Sequence, residues 1–184
     1  MLEQKEVPLY RQQKATKPLI EGYINEILDG GQKNNALAFV AYLRENKMKP
    51  AWTLINTWKA MHKGKNLYHI NLRKLPFTND GWQEKFWGEN TWLVKLYLLN
   101  IKKYEEQIMR EGLQDFIWNN VRYCKNCNDK DDCVGRNKII LGKEIKNQCG
   151  IYPLVWAYDP DEDAIESIKR LIELEKQART ENKK

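Results

Sequence analysis

No stretch limits the fold of this chain more than residues 52–75, WTLINTWKAMHKGKNLYHINLRKL. Apolar and polar residues alternate along it, and a period of two belongs to a β-strand, whose successive side chains point to opposite faces. The Lys63-Gly64-Lys65 triplet breaks the alternation, so the segment reads as two strands around a turn. A three-residue turn sets His62 opposite Asn66. That register puts Trp52, Leu54, Trp58 and Ala60 on one face with Tyr68, Ile70 and Leu72. Thr53, Thr57, Lys59, His69, Asn71 and Arg73 fall on the other. A two-residue turn mixes polar and apolar groups on both faces, which favours the longer turn.

The flanking sequence is helical. Leu19, Ile20, Tyr23, Ile24, Ile27 and Leu28 share one face of a helix capped by Thr16 and ended by Gly30-Gly31, and a second helix follows from about Asn35 to Asn46. After an aromatic loop over 75–90, TWLVKLYLL (91–99) is apolar on both faces and reads as a central strand. Two short helices separated by Gly112, a strand at 138–141 and another at 153–158 come next. Asp159-Pro160-Asp161-Glu162-Asp163 then opens a final helix with a cap, a proline and acids at its positive end, running out into a charged tail. This order predicts an α+β fold: an antiparallel sheet of about five strands, with helices before and after packed mainly on one face. Residues 1–15 are read as a loose arm and 16–180 as one domain.

All four cysteines fall between 123 and 149, in the pattern C-x2-C-x5-C-x15-C at Cys124, Cys127, Cys133 and Cys149. The chain has no apolar run resembling a signal-peptide core, so a cytoplasmic location is expected, and there thiols stay reduced. Two cysteines separated by two residues can turn both sulfurs to one point. A nearby third and a distant fourth complete the tetrahedron that zinc prefers, and Arg122, Lys125, Arg136, Lys138, Lys143 and Lys146 soften the charge of four thiolates. With every position filled by protein, such a zinc is structural. An iron–sulfur cluster uses the same ligand type, and Cys124-x-x-Cys127 also fits a redox pair, although the acidic stretch that follows is unlike the helix start such a pair uses.

Catalytic signals are sparse. Ser167 is the only serine and lies in the last helix, the two histidines His62 and His69 fall on opposite sheet faces, and no glycine-rich phosphate motif or H-E-x-x-H is present. Seven tryptophans and nine tyrosines are the second clue. Trp52, Trp58 and Tyr68 share a face, and Trp82, Trp87 and Trp92 follow in the loop and next strand. If the loop folds over the sheet these rings wall a pocket for a flat or cationic ligand, with Asn56 as a polar contact and Glu84 as a carboxylate among the rings.

The segment W-x-N-V-x-Y-C-x2-C from Trp118 to Cys127, followed by I-L-G-K-E and Cys149, resembles small uncharacterised bacterial single-domain proteins. The resemblance covers this segment and the final helix, implies a bacterial origin, and brings no activity with it. The expectation is therefore a zinc-stapled small-molecule binding or sensing domain without catalysis. A nucleic-acid or protein interaction module around the knuckle stands second, with Lys59, Lys63, Lys65, Arg73 and Lys74 as its cations. Asp129, Asp131 and Asp132 count against nucleic acid. An iron–sulfur or thiol redox protein stands third. The net charge of +6 permits nucleic-acid binding without requiring it.

Overall fold

The computed structural model describes residues 7–74, 87–124, 135–149 and 154–181. Among them are six α-helices, α1 (Leu9–Thr16), α2 (Ile20–Ile27), α3 (Gly30–Glu45), α4 (Glu105–Arg110), α5 (Gln114–Asn119) and α6 (Glu162–Glu181), and one 3-10 turn at Ile101–Lys103. Strands β1 (Ala51–Leu54), β2 (Thr57–His62), β3 (Lys65–Leu72), β4 (Trp92–Leu96) and β7 (Val155–Tyr158) form an antiparallel sheet in the order β1-β2-β3-β4-β7. β5 (Arg136–Ile140) and β6 (Lys143–Gln148) form a separate hairpin. The α+β class and antiparallel sheet are as the sequence predicts. No helix of the described residues is long and apolar enough to cross a membrane.

The face partition of β2 and β3 also holds, by a different route. The turn has two residues, with His62 paired to Lys65, and both Lys63 (φ 51°) and Gly64 (φ 76°) are left-handed. Such a turn matches the twist of the flanking strands. The register it sets is one residue off the predicted one, and a bulge between Ala60 and Met61 restores it: Ala60 pairs with Tyr68 and Trp58 with Ile70. A second correction lies upstream. β1 and β2 are two strands joined through Ile55 and Asn56 (φ 48°), so Leu54 leaves the apolar row and is exposed.

Across the sheet, Trp58, Ile70, Val94 and Ala157 form one transverse row and Ala60, Tyr68, Leu96 and Val155 the next, all buried. These rows meet Ile20 and Ile24 of α2, Phe39 and Leu43 of α3 and Ile165, Ile168 and Leu171 of α6 in the core. Each fully buried side chain of this size contributes about 1.5–3 kcal/mol relative to its exposed state.

Residues 1–15 are not wholly a loose arm: 9–16 form α1, whose Gln13 is buried and binds β1 and the turn after it. The predicted frayed tail after Ile172 is likewise helix, because Glu175 and Arg179 are buried and hydrogen-bonded. Arg179 donates to Glu175 at 2.7 Å and to the carbonyls of His62, Lys65, Asn66 and Tyr97 at 2.9–3.2 Å. Glu175 accepts from Asn100 and from the Tyr104 hydroxyl, at 2.6 Å. The end of α6 is thus fastened to the β2–β3 turn and to the chain leaving β4.

Candidate functional site

The aromatic residues proposed for a ligand pocket divide into three groups. Trp58, Tyr68 and Trp92 are core, each with no exposed surface. Trp58 donates to the Pro18 carbonyl at 2.8 Å and Tyr68 to that of Met48 at 2.6 Å, so their polar atoms tie the sheet to the helix layer. Among the described residues, these three rings belong to the packed core. Trp52 and Asn56 instead clasp α1: the Trp52 indole and the Asn56 backbone N–H both donate to Gln13 Oε1, and Gln13 Nε2 donates to Asn56 Oδ1 at 2.6 Å. Trp87 belongs to the opposite side, where its ring meets Tyr158 and the Arg73 guanidinium. Trp82 and Glu84 lie outside the described residues, as do Cys127 and Cys133.

The opposite face carries the chemistry. Lys59, His69, Lys95 and Trp156 are direct partners from strand to strand, so they form one row across β2, β3, β4 and β7. Beyond β7 the chain at 120–124 continues the pairing. Val121 bridges Val155, with the Trp156 N–H bonded to the Asn120 carbonyl at 2.8 Å and the Arg122 N–H to that of Leu154 at 3.1 Å. Strand alternation then sets Arg122 on the same face as Trp156. Lys95 Nζ lies 4.3 Å and the Arg122 guanidinium carbon 4.1 Å from the Trp156 ring centroid, a cation–π arrangement with two cations on one indole. Next to it Arg122, Tyr123, Trp156 and Tyr158 line a groove of about 260 Å³.

Electrostatics follow from this crowding. Burial, with Lys95 and Lys59 beside it, pushes His69 down to about 4. Burial and the nearby Arg122 hold Lys95 down at about 8. Tyr158 is pushed up to about 12, chiefly by burial. His62 faces the other way, beside Lys176 and Arg179 of α6, so the two histidines are separated by the sheet.

The cysteine segment meets this face at its edge. Tyr123 bridges Gln148 of β6, the Cys124 N–H donates to Asn147 at 2.8 Å and the Cys149 N–H to Arg122 at 2.9 Å. Residues 120–124 therefore stand between β7 and β6 and join the hairpin to the main sheet. The first and last cysteines of the motif, 25 positions apart (149 less 124), flank the Tyr123–Gln148 bridge on neighbouring segments, Cys149 opposite Arg122 and Cys124 opposite Asn147. Cys149 is 2 % exposed, and Cys124 is half-buried. The hairpin that returns Cys149 turns at Leu141 (φ 50°) and Gly142 (φ 75°) and closes against Gly135. A Cβ on Gly135 would lie 2.7 Å from the Asn147 carbonyl, so no side chain fits there. Among the described residues, no three His, Cys, Asp or Glu side chains converge as a metal site. A second cavity, of about 370 Å³, opens beside this hairpin, with Ile101, Ile140, Leu141, Gln148, Cys149 and Leu154 in its wall.

Sequence reasoning placed Lys59 and His69 on the polar face but missed Lys95, Arg122 and Trp156. The available signal was the lone lysine in the otherwise apolar TWLVKLYLL. Comparison with protein-family models, curated proteins and solved structures finds no match.

Proposed function

We propose that the protein is a small-molecule binding module without a reaction of its own, stapled by a structural zinc ion, with the groove beside Trp156 as its binding site. The observation that carries this reading is the row Lys59, His69, Lys95 and Trp156 with Arg122: a polar and aromatic face, bordered by a cavity, on a sheet whose other face is the core. Ligand sites combine a concave surface with a few polar groups that fix orientation, and this face has both. The ligand seat moves from the apolar face that the sequence suggested to the polar one.

The zinc is the metal suited to four thiolates, and the meeting of Cys124 with Cys149 across one ladder supports it: both ends of the motif approach one another, with Cys127 and Cys133 in the connection between them. Its role is to hold 120–124 and the β5–β6 hairpin against β7, next to the groove. Elemental analysis of the purified protein tests the staple, with one zinc per chain expected; iron with visible absorbance would replace it by a cluster. A fluorescence screen against a small-molecule library tests the binding site, with the ligand-dependent change expected to vanish in Trp156→Phe.

A second reading, contact with nucleic acid through the hairpin, draws on the exposed Arg136, Lys138, Lys143 and Lys146 of β5 and β6. A steep fall in oligonucleotide affinity with salt would favour it over the first.

A further inference from the structure

We propose that the ligand of this face is a small organic anion, bound through a carboxylate or phosphate group that Lys95, Arg122 and the Trp156 indole N–H receive together. The inference rests on the binding-site reading above and narrows it to one chemistry. It starts from an arrangement of cations that is unfavourable by itself. Like charges close together on a sheet face are destabilising, yet Lys59 and Lys95 flank His69 in one row, and Lys95 and Arg122 share the Trp156 ring. Among the described residues no ion pair joins Lys59, Lys95 or Arg122 to an acid. The charged neighbours that act on His69 and Lys95 are all cations, and the Tyr97 hydroxyl lies 3.5 Å from His69 Nδ1.

Hydrogen bonding points the same way. Trp156 is 9 % exposed, and its Nε1 and Arg122 Nε are buried without an acceptor, while His69 Nε2 is buried without a partner. Buried polar atoms without partners are uncommon in native proteins and each calls for a reason. An indole and a guanidinium only donate, and so does a charged lysine, so the group that completes the site must accept. A carboxylate or phosphate offers several acceptor oxygens and the missing countercharge at once, and charge-assisted bonds of this kind are the strong ones. The proton affinities of His69 and Lys95 are depressed first by burial and then by the neighbouring cations, so a buried anion here would relieve the second cause. With two cations already over the Trp156 ring, stacking is not what that residue offers a ligand. The groove, at about 260 Å³, is below the roughly 300–1,000 Å³ of sites for drug-sized ligands, so the occupant is small.

The experiment uses the full chain, with its metal as purified, and follows the tryptophan indole and arginine Nε–H signals by NMR. Inorganic phosphate, acetate and benzylammonium are titrated separately at constant ionic strength, with Trp156→Phe identifying the indole peak. Phosphate or acetate should shift the Trp156 and Arg122 signals saturably, and the tighter of the two distinguishes a phosphate-bearing from a carboxylate-bearing ligand. Lys95→Met and Arg122→Met should each weaken that binding at least tenfold, while Lys14→Met, on α1, leaves it unchanged. Without added anion, Lys95→Met should also raise the melting temperature, since it removes a buried charge beside the Arg122 cation, an outcome that a lysine serving only stability would reverse. Saturable binding of benzylammonium with no response to either anion overturns the inference and keeps the binding site. A response to none of the three overturns both, whereas anion binding that Lys95→Met leaves intact overturns the inference alone.

Discussion

Arg179 shows how much one side chain can hold. It reaches four backbone carbonyls and Glu175, and both charges are buried, so Arg179→Ala leaves a carboxylate inside the protein with only Asn100 and Tyr104 as partners. Breaking a buried pair in this way costs about 3–5 kcal/mol, and denaturant unfolding at neutral pH should show a loss of that order. His69 makes a different statement. Its folded-state proton affinity lies near 4, below the ordinary 6.5, because burial and the neighbouring lysines oppose its charge. Between those values the unfolded chain binds the proton and the folded one does not. Its contribution is therefore fully present above pH 6.5 and is lost as the pH falls toward 4. Melting temperatures measured from pH 7 to 4 should fall less steeply for His69→Gln than for the wild type. The sequence placed His69 correctly on the polar face, whereas Arg179 in a charged helical run carried no sign of burial.

At the scale of elements, the hairpins are set by their turns. Lys63-Gly64 and Leu141-Gly142 both place two consecutive residues at positive φ, a conformation that glycine takes freely and lysine or leucine does not. Gly64→Ala should destabilise by about 1 kcal/mol, and Lys63→Asn should stabilise by about 0.4–1 kcal/mol, since asparagine tolerates the left-handed region better. Chemical denaturation midpoints of the two variants, moving in opposite directions, check this. The alternation of residues 52–75 made two strands legible, but the bulge and the extra turn at Ile55-Asn56 were not. A period of two records which face a residue takes, and a bulge in the partner strand leaves that period unchanged. Asp159 illustrates the same limit: read as part of the helix start, it instead accepts from the Thr91 and Trp92 N–H groups and fastens the beginning of β4, while Asp161 caps Ala164.

At the scale of the whole molecule, the hairpin β5–β6 meets the main sheet through the bridges of residues 120–124. If zinc staples this junction, chelation should lower the melting temperature and loosen β5–β6 and 120–124 first, with faster amide exchange there than in β2, β3 and β4. Uniform loosening, or none, would mean that the metal has another place or that the thiols stand alone. The amino-acid sequence by itself determined the fold class, the apolar rows of the central strands and the grouping of the cysteines, because each of these is a local pattern with a fixed structural period or spacing, whereas the helix bounds differ: Thr16 ends α1, Leu19 is exposed ahead of α2, and Gly30 begins α3. Only the tertiary structure decided that Trp58 and Trp92 are core while Trp52 clasps α1, that Glu175 and Arg179 are buried, and that Lys95, Trp156 and Arg122 complete a row begun by Lys59 and His69. The physical reason is that strand order and register bring together residues from distant parts of the chain, and no local period records which strands become neighbours.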